Sequence, residues 1–105
     1  MKIYLDDERE TPEGWHRCYW PEEVIQLLKT QDVEVVSLDH DLGEYDFSHT
    51  HPRTGYDVIK WIEEQVATTD YVPPKVFLHT ANSAGRQRMA AGLRAIQGFL
   101  QKRDQ

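Results

Sequence analysis

Eight residues in three short stretches carry side chains able to hold a cation, move a proton or grip a phosphate. "YLDD" ends in Asp6 and Asp7, "SLDHD" in Asp39, His40 and Asp41, and "FLHTAN" in His79, Thr80 and Asn82. Each group directly follows an apolar run. Carboxylates gathered without matching cations repel one another, so such a cluster either keeps a proton or holds a positive ion. All-oxygen donors select hard cations, and Mg²⁺ characteristically keeps waters and bridges to a phosphate. Asp6, Asp7, Asp39 and Asp41 are therefore the expected ligands of a divalent ion, Mg²⁺ or Mn²⁺. For Asp41, followed by Leu42 and Gly43, ordinary turn chemistry is an equal reading. His79 at a strand end can serve as general acid or base near neutral pH, or simply be a hydrogen-bonded, partly buried side chain. His40 is the second acid–base candidate, and alternation along an extended chain turns one of Asp39, His40 and Asp41 away from the others. Thr80 and Asn82 suit a phosphate oxygen. A helix starting near Asn82 or Ser83 would favour an anion at its amino end. Arg86 then stands in a first turn where the helix dipole disfavours it, which fits a phosphate contact or a solvated arginine. His49 and His51 have a metal-ligand spacing, but no third ligand lies beside them, and they read as loop.

The elements that must position these groups alternate strand and helix, the signature of βαβ units and a parallel sheet. Strands are expected at Lys2–Leu5, Trp15–Tyr19 (the weaker one), Val33–Leu38 and Lys75–Leu78. Pro21–Thr30 forms a short helix on Val24, Ile25, Leu27 and Leu28, with Pro21, Glu22 and Glu23 suiting its first turn. A second helix opens at Gly55 or Tyr56 and carries Ile59, Ile62 and Val66. A third runs from Ser83 or Ala84 almost to the end of the chain, with Met89, Leu93, Ile96 and Leu100 as one seam. Asp7–Gly14 and Asp39–Thr54 are polar loops. In a parallel sheet the carboxyl ends of all strands share one edge, where ligands bind, so groups far apart in sequence can converge there.

Length and composition fit a single domain over residues 1–105, with 39% hydrophobic and 29% charged residues. The net charge is −6 and uneven: residues 1–84 hold 7 Lys/Arg against 17 Asp/Glu, and residues 85–105 hold 5 against 1. Such an acidic body disfavours non-specific duplex nucleic acid, because phosphate contacts need positive surface. The basic last segment suits an anion, a protein partner or a solvated helix face. No apolar run approaches the ~20 residues of a membrane span, and no signal sequence follows Met1, so a cytoplasmic protein is expected. Cys18, the single cysteine, allows no internal disulfide and reads as a small packed hydrophobe.

An acidic pair after the first strand, an Asp after a later one and Thr-Ala after the next resemble the response-regulator receiver domain. That likeness implies that Asp6 and Asp7 bind metal, that Asp39 is the phosphoacceptor and that Thr80 is the switch position. The sequence departs from it in two places. Asp7–Gly14 is too short for the usual first helix, and no strand bearing the site lysine follows the helix after Thr80. "LDDER", "SLDHDLG", "TGYDV" and "HTAN", in that order, resemble a receiver offshoot, the cyclic-phosphate-processing receiver domain family. The resemblance implies an α/β fold, a reduced receiver-like (flavodoxin-like) three-layer sandwich of about four parallel strands in order 2-1-3-4, with helices on both faces. It further implies a metal-dependent phosphoesterase acting on a cyclic phosphate, a nucleotide or an RNA-end 2′,3′-cyclic phosphate. His79, His40 and Asp39 would be catalytic, and Thr80, Asn82 and Arg86 would bind phosphate. The alternative is a non-catalytic signalling or binding module that uses Asp39 as phosphoacceptor, or a phosphate pocket that engages a protein partner.

Overall fold

Strand β1, Lys2–Leu5, alternates exposed Lys2 and half-buried Tyr4 with fully buried Ile3 and Leu5. That alternation fixes which side of the strand faces the core. The computed structural model, which describes residues 1–41 and 54–103, pairs β1 in parallel with both β2 (His16–Cys18) and β3 (Val35–Leu38). β4 (Lys75–Leu78) adds to β3, giving the parallel order β2-β1-β3-β4 that the receiver resemblance implies. His49, His51 and most of the Asp39–Thr54 loop lie outside the described residues.

Three helices follow the expected positions: α1 (Pro21–Thr30), α2 (Tyr56–Thr68) and α3 (Ser83–Arg103). The Glu23 carboxylate reaches back to accept the backbone N–H groups of Tyr19 and Trp20, each at 3.0 Å, which anchors the start of α1. Arg103 does the converse for α2, donating to the carbonyls of Val66, Thr69 and Tyr71. One cation of the basic last segment is thus spent on closing a helix end. Among the described residues no helix is long and apolar enough to cross a membrane.

Val24 and Leu28 of α1, Val58, Ile59, Ile62 and Val66 of α2, and Met89 and Ile96 of α3 form one core with Ile3, Leu5, Val36 and Leu38. Register places Ile3 beside Val36, and Leu5 beside both Leu38 and Cys18, so these strand residues share one face. All three helices therefore lie on the same side. This corrects the expectation of helices on both faces: among the described residues the second face carries no helix, only the Pro12–Trp15 segment, with Trp15 edge-on to Tyr4 at 6.1 Å, and the His79 ring stacked on Tyr4. The reason is crossover handedness. The β2-to-β3 and β3-to-β4 connections travel one way across the sheet, and their right-handed turn puts α1 and α2 together. Only the β1-to-β2 connection travels the other way, and its polar residues, broken by Pro12 and Gly14, form no helix.

Cys18 is fully buried on the core face, and burial, reinforced by the Glu23 charge, pushes its thiol up to about 12. A thiol so protonated is a poor nucleophile. The native protein should resist iodoacetamide at pH 8 and be alkylated only after unfolding, with intact mass as the readout. Fast alkylation of the folded chain would contradict this packing.

Candidate metal centre

Asp6 leaves β1 fully buried, and both of its carboxylate oxygens have partners. Oδ1 accepts the backbone N–H groups of Glu8 at 2.8 Å and Arg9 at 2.9 Å, which turns the chain away from the sheet. Oδ2 lies 3.0 Å from His79 Nε2 and 3.8 Å from Arg9 Nε. Burial alone would raise the Asp6 pKa, but the amides of Arg9 and Glu8 and the pull of His79 outweigh it, and the carboxyl sits below its usual range. Asp6 is an anion held ready in a buried place.

Asp39 ends β3 beside it, its own N–H bonded to the Leu5 carbonyl at 3.0 Å and one carboxylate oxygen accepting the His40 N–H at 2.8 Å. Asp6, Asp7 and Asp39 each offer an oxygen, and these lie within 4.8 Å of one another. Oxygens at that separation can share one ion with metal–oxygen distances of ~2.0–2.6 Å. They form the floor of a cleft of about 380 Å³ whose walls include Arg9, Asp41 and Thr80.

Gly55 secures the Asp39 position from the other side of the loop. Its N–H donates to the His40 carbonyl at 3.1 Å. A Cβ on it would fall inside the van der Waals radius of the Asp39 carbonyl oxygen, a backbone atom that cannot rotate away. Gly55→Ala should therefore cost about 3 kcal/mol, at the upper end of ordinary overpacking, and displace Asp39 from the cluster. Urea unfolding would read the first effect and Mn²⁺ titration the second. A variant with the wild-type midpoint would show that the two segments do not pack this closely.

His79 is held on three sides. Its Nε2 faces Asp6, its Nδ1 lies 2.7 Å from Ser37 Oγ, and its ring stacks on Tyr4 at 4.2 Å with planes 2° apart. Burial lowers its pKa below 6.5 against the opposing pull of Asp6, so the ring is neutral at pH 7. Asp6, being ionised, can only accept. The proton therefore sits on His79 Nε2, and Nδ1 accepts from the Ser37 hydroxyl. The Arg9 guanidinium also donates to the His79 carbonyl, tying the loop after β1 to the end of β4.

The remaining predicted residues divide between the cleft and a second cluster. Thr80 is buried and lines the cleft, its hydroxyl accepting the Asn82 N–H at 3.1 Å. Asp41 also lines the cleft but is not one of the three converging carboxylates. Its Oδ1 lies 2.9 Å from His40 Nδ1, and Asn82 Nδ2 lies 3.3 Å from both its oxygens. The His40 hydrogen bond, helped by Asn82, keeps the Asp41 pKa low. His40 points away from the three carboxylates, its ring lying over Gly85, where a Cβ would come within 2.5 Å. Asn82 also caps α3, accepting the Gly85 N–H at 2.9 Å. Arg86 is exposed, lies 3.4 Å from the Leu78 carbonyl and does not line the cleft. Sequence reasoning missed Arg9 and Ser37. "LDDER" places Arg9 three residues beyond Asp6, and Ser37 is the polar residue inside the apolar β3, so both signals were there to be read.

The family model described as the cyclic-phosphate processing receiver domain matches residues 1–95. This chain belongs to that family. No curated protein and no solved structure matches it. The match covers all four strands, both strand-end acidic groups and the Thr80 position of this receiver domain.

Proposed function

We propose that this receiver domain opens a cyclic phosphate, with a nucleotide or an RNA-end 2′,3′-cyclic phosphate as substrate class, in a reaction that depends on a divalent cation. The observation that carries the reading is the convergence of Asp6, Asp7 and Asp39 within 4.8 Å at the floor of a cleft. The donor set fits Mg²⁺ or Mn²⁺: three carboxylates, one of them buried and held anionic, with room on the open side for waters and a phosphate. When bound there, such an ion supplies Lewis-acid polarisation of the phosphoryl oxygens and an acidified water.

The chain's own residues divide the rest of the work. Thr80, which lines the cleft, orients a phosphoryl oxygen through its hydroxyl. Arg9, at the cleft wall, takes the phosphate contact that the sequence reading gave to Arg86 and stabilises charge there. Asn82 reaches the phosphate site only through Asp41, which it orients together with His40. His79 acts through Asp6: with both ring nitrogens engaged, it fixes the direction of that carboxylate, as histidine–carboxylate pairs do behind metal ligands. Ring opening adds water at phosphorus, breaks one ring P–O bond and leaves a monoester and a free hydroxyl.

The first check is equilibrium binding. Calorimetric titration with MnCl₂ should give one site per chain, and Asp7→Asn should weaken it without changing the fold. Heat of dilution alone would sink the reading. A second reading, phosphoryl transfer to Asp39, draws on the place of that residue at the end of β3. Against it, among the described residues no lysine lines the cleft. Acetyl phosphate followed by intact mass separates the two, because only the second reading yields an adduct that Asp39→Asn abolishes.

A further inference from the structure

We propose that the open face of the sheet is a second ligand site, for a small planar aromatic anion. Parallel sheets are ordinarily covered on both faces, and among the described residues only the Pro12–Trp15 segment and the His79 ring lie over this one. Two rows of residues cross it in register. Lys2, Val35 and Lys75 form the first, and Tyr4, Ser37 and Phe77 the second. At ~4.8 Å between strands, the two lysines stand about 10 Å apart at their Cα atoms on either side of Val35. Trp15 rises at one side, edge-on to Tyr4, and Phe77, 56% exposed, stands at the other. Between them is a cavity of about 630 Å³, inside the ~300–1,000 Å³ range of small-molecule sites.

Size and charge select the occupant. Three strands of four residues present a patch of about 14 × 13 Å, or roughly 180 Å². A stable protein interface needs about 800 Å² from each partner, so a second copy or a folded domain is too large for this face alone. A flat ring between Trp15 and Phe77 is not. In a chain of net charge −6, the face carries Lys2 and Lys75 against Glu34 at its rim. Among the described residues neither lysine is ion-paired: Lys2 Nζ sits 5.8 Å from the Trp15 ring centre, and Lys75 has no carboxylate partner. A ring over Val35 would place its anionic group within reach of the two ammonium groups that flank it.

The probe is 2-naphthoate, with 2-naphthalenemethanol as its neutral analogue, titrated into the ¹⁵N-labelled protein in EDTA. The expected result is shifts at the Trp15 indole and the Val35 and Ser37 amides, with naphthoate binding about fivefold to tenfold tighter than the alcohol, the strength of one or two exposed ion pairs. The Lys2→Gln, Lys75→Gln double variant should bind the two probes equally. Both lysines are exposed, so the variant keeps its fold. Absence of shifts at millimolar probe, shifts mapping to another surface, or naphthoate affinity unchanged in the double variant would each overturn the proposal. Because the titration excludes metal and reads amides on the open face, it stands apart from the fate of the cation site.

Discussion

Asp39→Asn is expected to abolish metal-dependent turnover, a loss of about three orders of magnitude or more if the bound ion contributes several kcal/mol of charge stabilisation. The substitution is nearly isosteric. The amide oxygen can still accept the His40 N–H now held at 2.8 Å, and the backbone bond from Asp39 to Leu5 is untouched. What changes is the charge: three converging carboxylates become two, and their mutual repulsion falls. In EDTA the variant should therefore melt at or slightly above the wild-type temperature. With Mn²⁺ the order should reverse, because an ion that binds only the folded state stabilises in proportion to its affinity. Thermal unfolding with and without Mn²⁺ reads both effects. Equal stabilisation of the two proteins by the ion would place it elsewhere.

His79→Gln carries the second large effect, and its form separates two mechanisms. A direct general acid or base would cost ~10²–10⁴ in turnover even at saturating cation. A side chain acting through Asp6 should instead weaken cation affinity by about 10–100-fold and leave saturated turnover within about tenfold of wild type. The second pattern is expected, because Nε2 is bonded to Asp6 and Nδ1 to Ser37, leaving no nitrogen for substrate. Stability has a matching pH signature. The folded pKa of His79 is depressed, so the unfolded chain binds more protons below pH 6.5, and stability rises with pH through that window. The His79 contribution is complete above pH 6.5 and is lost as the pH falls below it toward the folded value. Asp6, also depressed, adds a loss at lower pH, below its ordinary 3.8. In EDTA, wild-type melting temperature should fall between pH 7 and pH 5, and His79→Gln should flatten that slope. An unchanged slope would mean that the histidine is not buried neutral.

Much of this was legible because period-two alternation names the buried side of a strand, and a parallel sheet sends all strand ends to one edge. Asp6, Asp39 and Thr80 followed from that alone. Partnering was not legible. Nothing in "LDHD" says that His40 folds over Gly85 while Asp39 turns to the cleft, since the choice is made by α3, more than forty residues away. Arg9 escaped notice inside a stretch read as solvated loop, although the Asp6 side chain organises that loop by taking the Arg9 amide. The second helical layer was expected by likeness to a larger receiver, whereas handedness together with the short β1-to-β2 connection already argued for one. Ser37 carried the clearest unread signal, a hydroxyl in a strand otherwise made of Val35, Val36 and Leu38.

The most direct test is phosphorus NMR of the purified protein with 2′,3′-cyclic nucleotides and cyclic-phosphate-ended oligoribonucleotides, in Mg²⁺ or Mn²⁺ and again in EDTA. Disappearance of the cyclic resonance and growth of a monoester signal only with the ion present, and not with Asp39→Asn, is the predicted result. Cyclic resonances unchanged across both substrate classes with saturating Mn²⁺, or ring opening that continues undiminished in EDTA, would contradict a cation-dependent cyclic-phosphate site.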